Sequence, residues 1–134
     1  MRAALADHVT IDYSNVVPAW GEKHYAADDF VELWLSPEHL GLRPLATQHL
    51  LGLPLFKSVE DARVVVEWQI IASHGRRAPG EDATNPMARI EEESNHRGFL
   101  EHSFVRIDKG WKIQKIKPSV TFQPGDFMHV RRPE

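Results

Sequence analysis

The chain of 134 residues contains no cysteine, which excludes disulfide staples, thiolate nucleophiles and thiolate metal ligands. It also lacks any apolar run near the roughly 20 residues that a helix needs to span a bilayer. Its first nine residues set Arg2 against Asp7 with no apolar run behind them, so they do not read as a secretory leader. A cytoplasmic location and no membrane partner are the expectation. Neither sign of charge dominates: 16 Lys and Arg against 19 Asp and Glu leave a net −3. No basic face offers itself to nucleic acid, and the doublets Arg76–Arg77 and Arg131–Arg132 read as solvated surface. No phosphate loop, dinucleotide glycine fingerprint or nucleophile elbow is present. The eight histidines fall into no His-x-His or His-Glu-x-x-His spacing, so no metal site is expected.

What is present suits one soluble globular domain over 1–134, with 42% hydrophobic and 26% charged residues. Residues 9–13 alternate apolar and polar side chains and predict a short strand. Residues 14–24, with Pro18 and Gly21, read as a loop. Residues 26–34 carry Asp28 and Asp29 ahead of apolar residues at helical spacing, which predicts a helix. Ser36, Pro37 and Gly41 bracket a further short helical turn. Strands are predicted over 46–51, 62–74 and 91–107, with loop composition over 75–87. Asp108-Lys109-Gly110 turns the chain into a return strand over 111–116 that Pro118 ends. A strand, then helices, then mostly antiparallel strands give an α+β class, with a curved sheet around helices enclosing a cavity.

Side chains of a strand alternate between two faces. With His74 inward, its strand places Ala72, Ile70, Trp68, Val66 and Val64 on the same side, and Ser73, Gln69 and Glu67 opposite. His49 shares a face with Thr47 and Leu51, and Tyr13 with Ile11 and Val9. Each polar group thus belongs to the apolar face of its strand. Taken singly, any of them suits a hydrogen-bonded core residue. Together they suit an acid–base site, because imidazole exchanges protons near neutrality and a phenol donates to a developing oxyanion.

Ile11-Asp12-Tyr13, Thr47-Gln48-His49, Ala72-Ser73-His74, and Arg106 to Lys112 leading into Ile116-Lys117-Pro118 occur in the order and nearly the spacing of scytalone dehydratase. The chain resembles that family from about residue 8 to about 128. The resemblance implies a SnoaL/NTF2-like cone, an α+β barrel closed by helices, with the active site inside. It implies a cofactor-independent hydro-lyase that removes water from a hydroxylated polycyclic or polyketide-derived ketone, as in fungal melanin and other secondary metabolism. Tyr13 then polarises the substrate carbonyl through a water, His49 handles the adjacent proton and the departing hydroxyl, and His74 orients and assists. Tyr25, Leu33, Trp68, Leu100, His102 and Phe127 are the expected substrate contacts. Residues 120–130 resemble the family's lid, with Phe122, Phe127 and Met128 as its covering side chains.

This chain departs from the pattern in two respects. No counterpart precedes Tyr13 for the family's first helix, which brings a second carbonyl-binding tyrosine and an aspartate for the second histidine. Gly98 and Leu100 stand where the family has a serine and an asparagine, leaving Tyr25, Asn95, Glu101 or His102 to replace the orienting amide. Scytalone itself is therefore not the expected substrate. An isomerase or cyclase in the same pocket, and a binding protein without chemistry, stand as alternatives. The resemblance also implies a homo-oligomer, trimer or dimer, with Val65 and Ile71 on the outward face available for it.

Overall fold

In a computed structural model, which describes residues 1–133, six strands form one sheet in the order β2-β1-β6-β5-β4-β3. The strands are β1 (Leu5–Asp12), β2 (Glu22–Ala26), β3 (Leu45–Val59), β4 (Arg63–Arg77), β5 (Ile90–Ile107) and β6 (Gly110–Phe122). Two helices accompany them, α1 (Ala27–Trp34) and α2 (Phe127–Val130). Every neighbouring pair is antiparallel except β1 with β6, which run parallel. The register slips at Leu51/Pro54, Phe56/Ser58, Arg76/Arg77, Arg97/Gly98 and Ser103/Phe104. Such bulges add twist and bend, and they curl the sheet into an open cone. The sheet does not close on itself: β2 and β3 remain its edges, so the fold is α+β with helices covering an open trough.

Local chemistry explains these elements. In α1, Asp28 and Asp29 complement the positive end of the helix, and Asp28 is bound by Arg2 at 2.8 Å. Its inner stripe puts Ala27 and Phe30 against Leu5, Val9 and Ile11 of β1, and Phe30 stacks on Trp34 one turn later at 5.3 Å. Asp108 adopts φ 53° in the β5–β6 turn, a left-handed conformation that aspartate tolerates better than most residues. Gly41 is required where it stands, because a Cβ there would lie 1.9 Å from the Leu35 carbonyl oxygen. Residues 36–41 form successive turns and no regular helix.

Both strands that contain a proline run past it. β3 continues through Pro54 because it is an edge strand with a neighbour on one side only. β6 continues through Pro118, opposite Leu100, because β1 ends at Asp12 and leaves β6 unpaired on that side. β1 begins at Leu5 and ends one residue before Tyr13, so Tyr13 lies just beyond the strand.

The arginine doublets are not solvated surface. Arg76 is buried, and its guanidinium donates to the carbonyls of Val130 at 3.1 Å and Arg132 at 2.7 Å. Arg132 in turn forms a two-pronged ion pair with Glu92 at 2.7 and 2.8 Å. Together they clamp the short helix α2 onto β4 and β5. Among the described residues no helix is long and apolar enough to cross a membrane.

Candidate active site

A cavity of about 360 Å³ lies between the concave face of the sheet and α1, α2 and the segment 13–20. Its walls are mainly apolar, with Leu5, Ile11, Phe30, Ile70, Ile113 and Val120 among them. Into it project Tyr13 and five histidines: His39, His49, His74, His96 and His102. β3 and β4 place His49 and His74 diagonally across one antiparallel pair, with Thr47 opposite His74 and Ala72 opposite His49. The two Nε2 atoms approach to 3.4 Å, so one ring can donate its Nε2–H to the other.

Burial sets the protonation of this pair. His74 is 5% exposed and its pKa is lowered to about 4, first by desolvation and then by the fields of His49 and His96. His49 opens toward solvent through the cavity, and desolvation still lowers its pKa. Both rings are therefore neutral at neutral pH, and the pair takes up one proton far more easily than two. Tyr13 is pushed the other way: desolvation raises its phenol above the ordinary value, against a smaller opposing field from Arg131. Its proton stays in place for donation.

Tyr13 is held by its neighbours. Its N–H donates to the Gly21 carbonyl at 2.9 Å, and its ring packs on Trp20 and Trp34 at 5.4 and 6.0 Å. The adjoining Asp12 is 5% exposed, accepts from the Ser14 backbone and hydroxyl, and pairs with Lys117 at 3.2 Å and Lys115 at 3.5 Å. The Ser14 hydroxyl above all holds the carboxyl below the usual carboxylate range. Asp12→Ala strips this buried knot of its acceptor and leaves two lysines without their shared partner. An unfolding titration in urea should show a loss of about 2–4 kcal/mol.

The remaining expected contacts divide. Leu100, His102 and Phe127 line the cavity with Tyr13, His49 and His74. Phe127 packs on His74 at 4.5 Å and on His96 at 5.3 Å. Tyr25 and Leu33 line a smaller adjoining space instead. Trp68 shares the inward face but lies outside the cavity lining, edge-on to His102 at 6.5 Å. Of the three covering side chains expected of the lid, Phe122 and Met128 are exposed and only Phe127 turns in. Asn95 and Glu101 point away from the cavity, and Glu101 is tied to Lys57 at 2.6 Å, so neither replaces an orienting amide. His102, two residues on from Leu100 on the same face, is the polar group that does reach the space.

Three ionisable side chains of the cavity were not singled out as site residues from sequence: His39, His96 and Arg131. His96 was legible, because the alternation that turns Leu100 and His102 inward also turns residue 96 inward. His96 Nε2 and His74 Nδ1 are buried with no hydrogen-bond partner among the described residues. Also among the described residues, no group of three or more His, Asp or Glu side chains is arranged to hold a metal ion.

The family model described as scytalone dehydratase matches residues 1–133. The chain belongs to the scytalone dehydratase family. Within that family it is 50% identical over 132 residues to the dehydratase cfoI of Aspergillus candidus, covering 98% of this chain and 76% of that one. It is 26% identical over 133 residues to scytalone dehydratase arp1 of Aspergillus fumigatus, covering 98% and 75%. Among solved structures, the protein Kfla4162 of Kribbella flavida superposes with a TM-score of 0.73 at 19% identity, over 98% of this chain and 80% of that one. That likeness establishes the fold of this family member as the NTF2-like cone.

Proposed function

We propose that this family member is a cofactor-independent dehydratase of fungal-type secondary metabolism, acting on a hydroxylated polycyclic or polyketide-derived ketone. The observation that carries the reading is the contact of the His49 and His74 Nε2 atoms, 3.4 Å apart in an apolar cavity that also admits Tyr13. Relatives named as dehydratases support the same class.

In this reaction one neutral imidazole removes the proton next to the carbonyl. The C–H electron pair moves into the enolate, whose oxygen the Tyr13 phenol stabilises directly or through a water. The enolate then expels the β-hydroxyl, which takes a proton from the imidazolium and leaves as water. The new double bond extends conjugation, so the protein supplies positioning and proton transfer. An analogue lacking the leaving hydroxyl tests the first half-step alone. In heavy water the wild-type protein should exchange its α-hydrogen for deuterium, read by mass spectrometry. The His49→Ala/His74→Ala variant should not. Exchange that survives in that variant would remove the pair from the mechanism.

The proposal includes assembly into a homo-oligomer, dimer or trimer. Edge strand β3 exposes Leu53, Leu55, Phe56 and Val59 at 91%, 61%, 60% and 69%, an apolar edge that isolated monomers usually avoid. Light scattering should give a multiple of the 15.3 kDa chain mass, and Leu53→Asp with Phe56→Asp should return it to the monomer value. A monomeric wild-type protein would refute assembly.

A further inference from the structure

A second space of about 180 Å³ adjoins the main cavity and shares Tyr13, Trp20, Trp34, His39 and Arg131 with it. Its own walls add Lys23, Tyr25 and Leu33. The lining is aromatic and cationic and contains no Asp or Glu. The Arg131 guanidinium lies 5.9 Å over the Trp20 ring and 5.8 Å over the Phe127 ring, and it donates to the Glu38 carbonyl at 2.7 Å. Most arginines and lysines nearby are neutralised: Arg132 by Glu92, Lys115 chiefly by Glu22, and Lys117 by Asp12. Among the described residues neither Arg131 nor Lys23 has a carboxylate within ion-pair distance. A guanidinium held by stacking with unused N–H donors, at the neck of a cavity, is a geometry for planar oxyanions.

Two groups register this field. Arg131 opposes the rise in the Tyr13 pKa, and after desolvation it is the largest cause of the lowered His39 pKa, with Lys23 acting in the same sense. The exposed Glu38 carboxylate acts against them on His39 and does not outweigh Arg131. His39 Nδ1 is buried and has no partner among the described residues.

We infer that this lobe is a binding subsite for an aryl carboxylate, with Arg131 as the anion-binding residue, Lys23 as supporting charge, and Trp20 and Trp34 as the ring-stacking walls. The substrate is then an aromatic polyketide that retains an acid group, anchored in the small lobe while its ketone lies between Tyr13 and the His49–His74 pair. This assignment rests on the proposed use of the main cavity as the substrate site, and its test does not need turnover.

The probes are 3-hydroxy-2-naphthoate and its methyl ester, titrated against the whole chain and followed by tryptophan fluorescence and calorimetry. The wild-type protein should bind the carboxylate at least tenfold tighter than the ester. Arg131→Gln should remove most of that preference while leaving ester affinity within twofold. Arg131→Lys should restore part of it, and the exposed Lys23→Gln should reduce it by a smaller factor. Equal binding of acid and ester by the wild-type protein would overturn the subsite, as would an equal loss of both probes in Arg131→Gln with its fold retained by circular dichroism. His49→Ala/His74→Ala should keep the carboxylate preference, so failure of the elimination chemistry and failure of this subsite give different results.

Discussion

Replacing His74 with alanine should lower the rate of water elimination by roughly a hundred- to ten-thousand-fold, the usual range for a positioned acid–base group. The size of the effect follows from the shared proton. His49 and His74 face each other at 3.4 Å, so removing either ring takes away both the base and the route by which its proton reaches the leaving oxygen. The two losses should therefore not add. His49→Ala/His74→Ala should be little slower than the worse single variant, as residues acting as a unit behave. His74→Gln keeps volume and a hydrogen-bonding end but cannot exchange a proton, so it should be nearly as slow as His74→Ala while remaining closer to wild type in stability. Steady-state kcat for the set checks this. A His74→Gln variant with wild-type kcat would reduce His74 to a packing role.

The second large effect is on stability in acid. An unfolded histidine titrates near 6.5, whereas His74 in the fold titrates at about 4. Between these values the unfolded chain binds the proton and the folded chain does not, so stability falls as pH falls through the window. The full shift corresponds to about 3 kcal/mol for His74 alone. His39, His49, His96 and His102 are also lowered, each first by desolvation, and they act in the same direction. Asp12 does not offset this, because a lowered carboxyl keeps its charge and its stabilising contacts throughout that window. Urea unfolding at pH 7.5 and at pH 4.5 should show the loss, and His74→Gln should make it shallower. A midpoint independent of pH, or a slope unchanged in His74→Gln, would mean that His74 is not buried neutral. The same shift sets activity: the acid limb of kcat/KM should lie below 6.5, because the base stays neutral until the pair is protonated.

Much of the site could be read from period-two alternation, because β4 and β5 are long strands with one face turned to the cavity. The β4 pattern is observed, with Ala72 and His74 buried and Gln69 and Ile71 exposed. The same rule, carried along β5, reaches His96, which the absence of a metal-binding spacing had set aside. Alternation breaks down where the chain leaves the sheet. His39 sits in a turn and Arg131 follows a four-residue helix, and both reach the cavity only because distant segments pack there. Arg76 shows the same limit: its charge favours surface, but it satisfies carbonyls of the C-terminal segment 54 and 56 residues away. Pro118, read as ending its strand, misled for a different reason. Proline disqualifies a central strand position but not an edge, and which strands are edges is a property of the assembled sheet.

The most direct measurement is the mass of the product formed from hydroxylated polycyclic ketones carrying a ring carboxylate, with wild-type protein and with His49→Ala/His74→Ala. The wild-type protein should give a product lighter by one water. The double variant should return the ketone unreacted while still binding it. A product of unchanged mass, or equal water loss by both proteins, would contradict elimination by the His49–His74 pair.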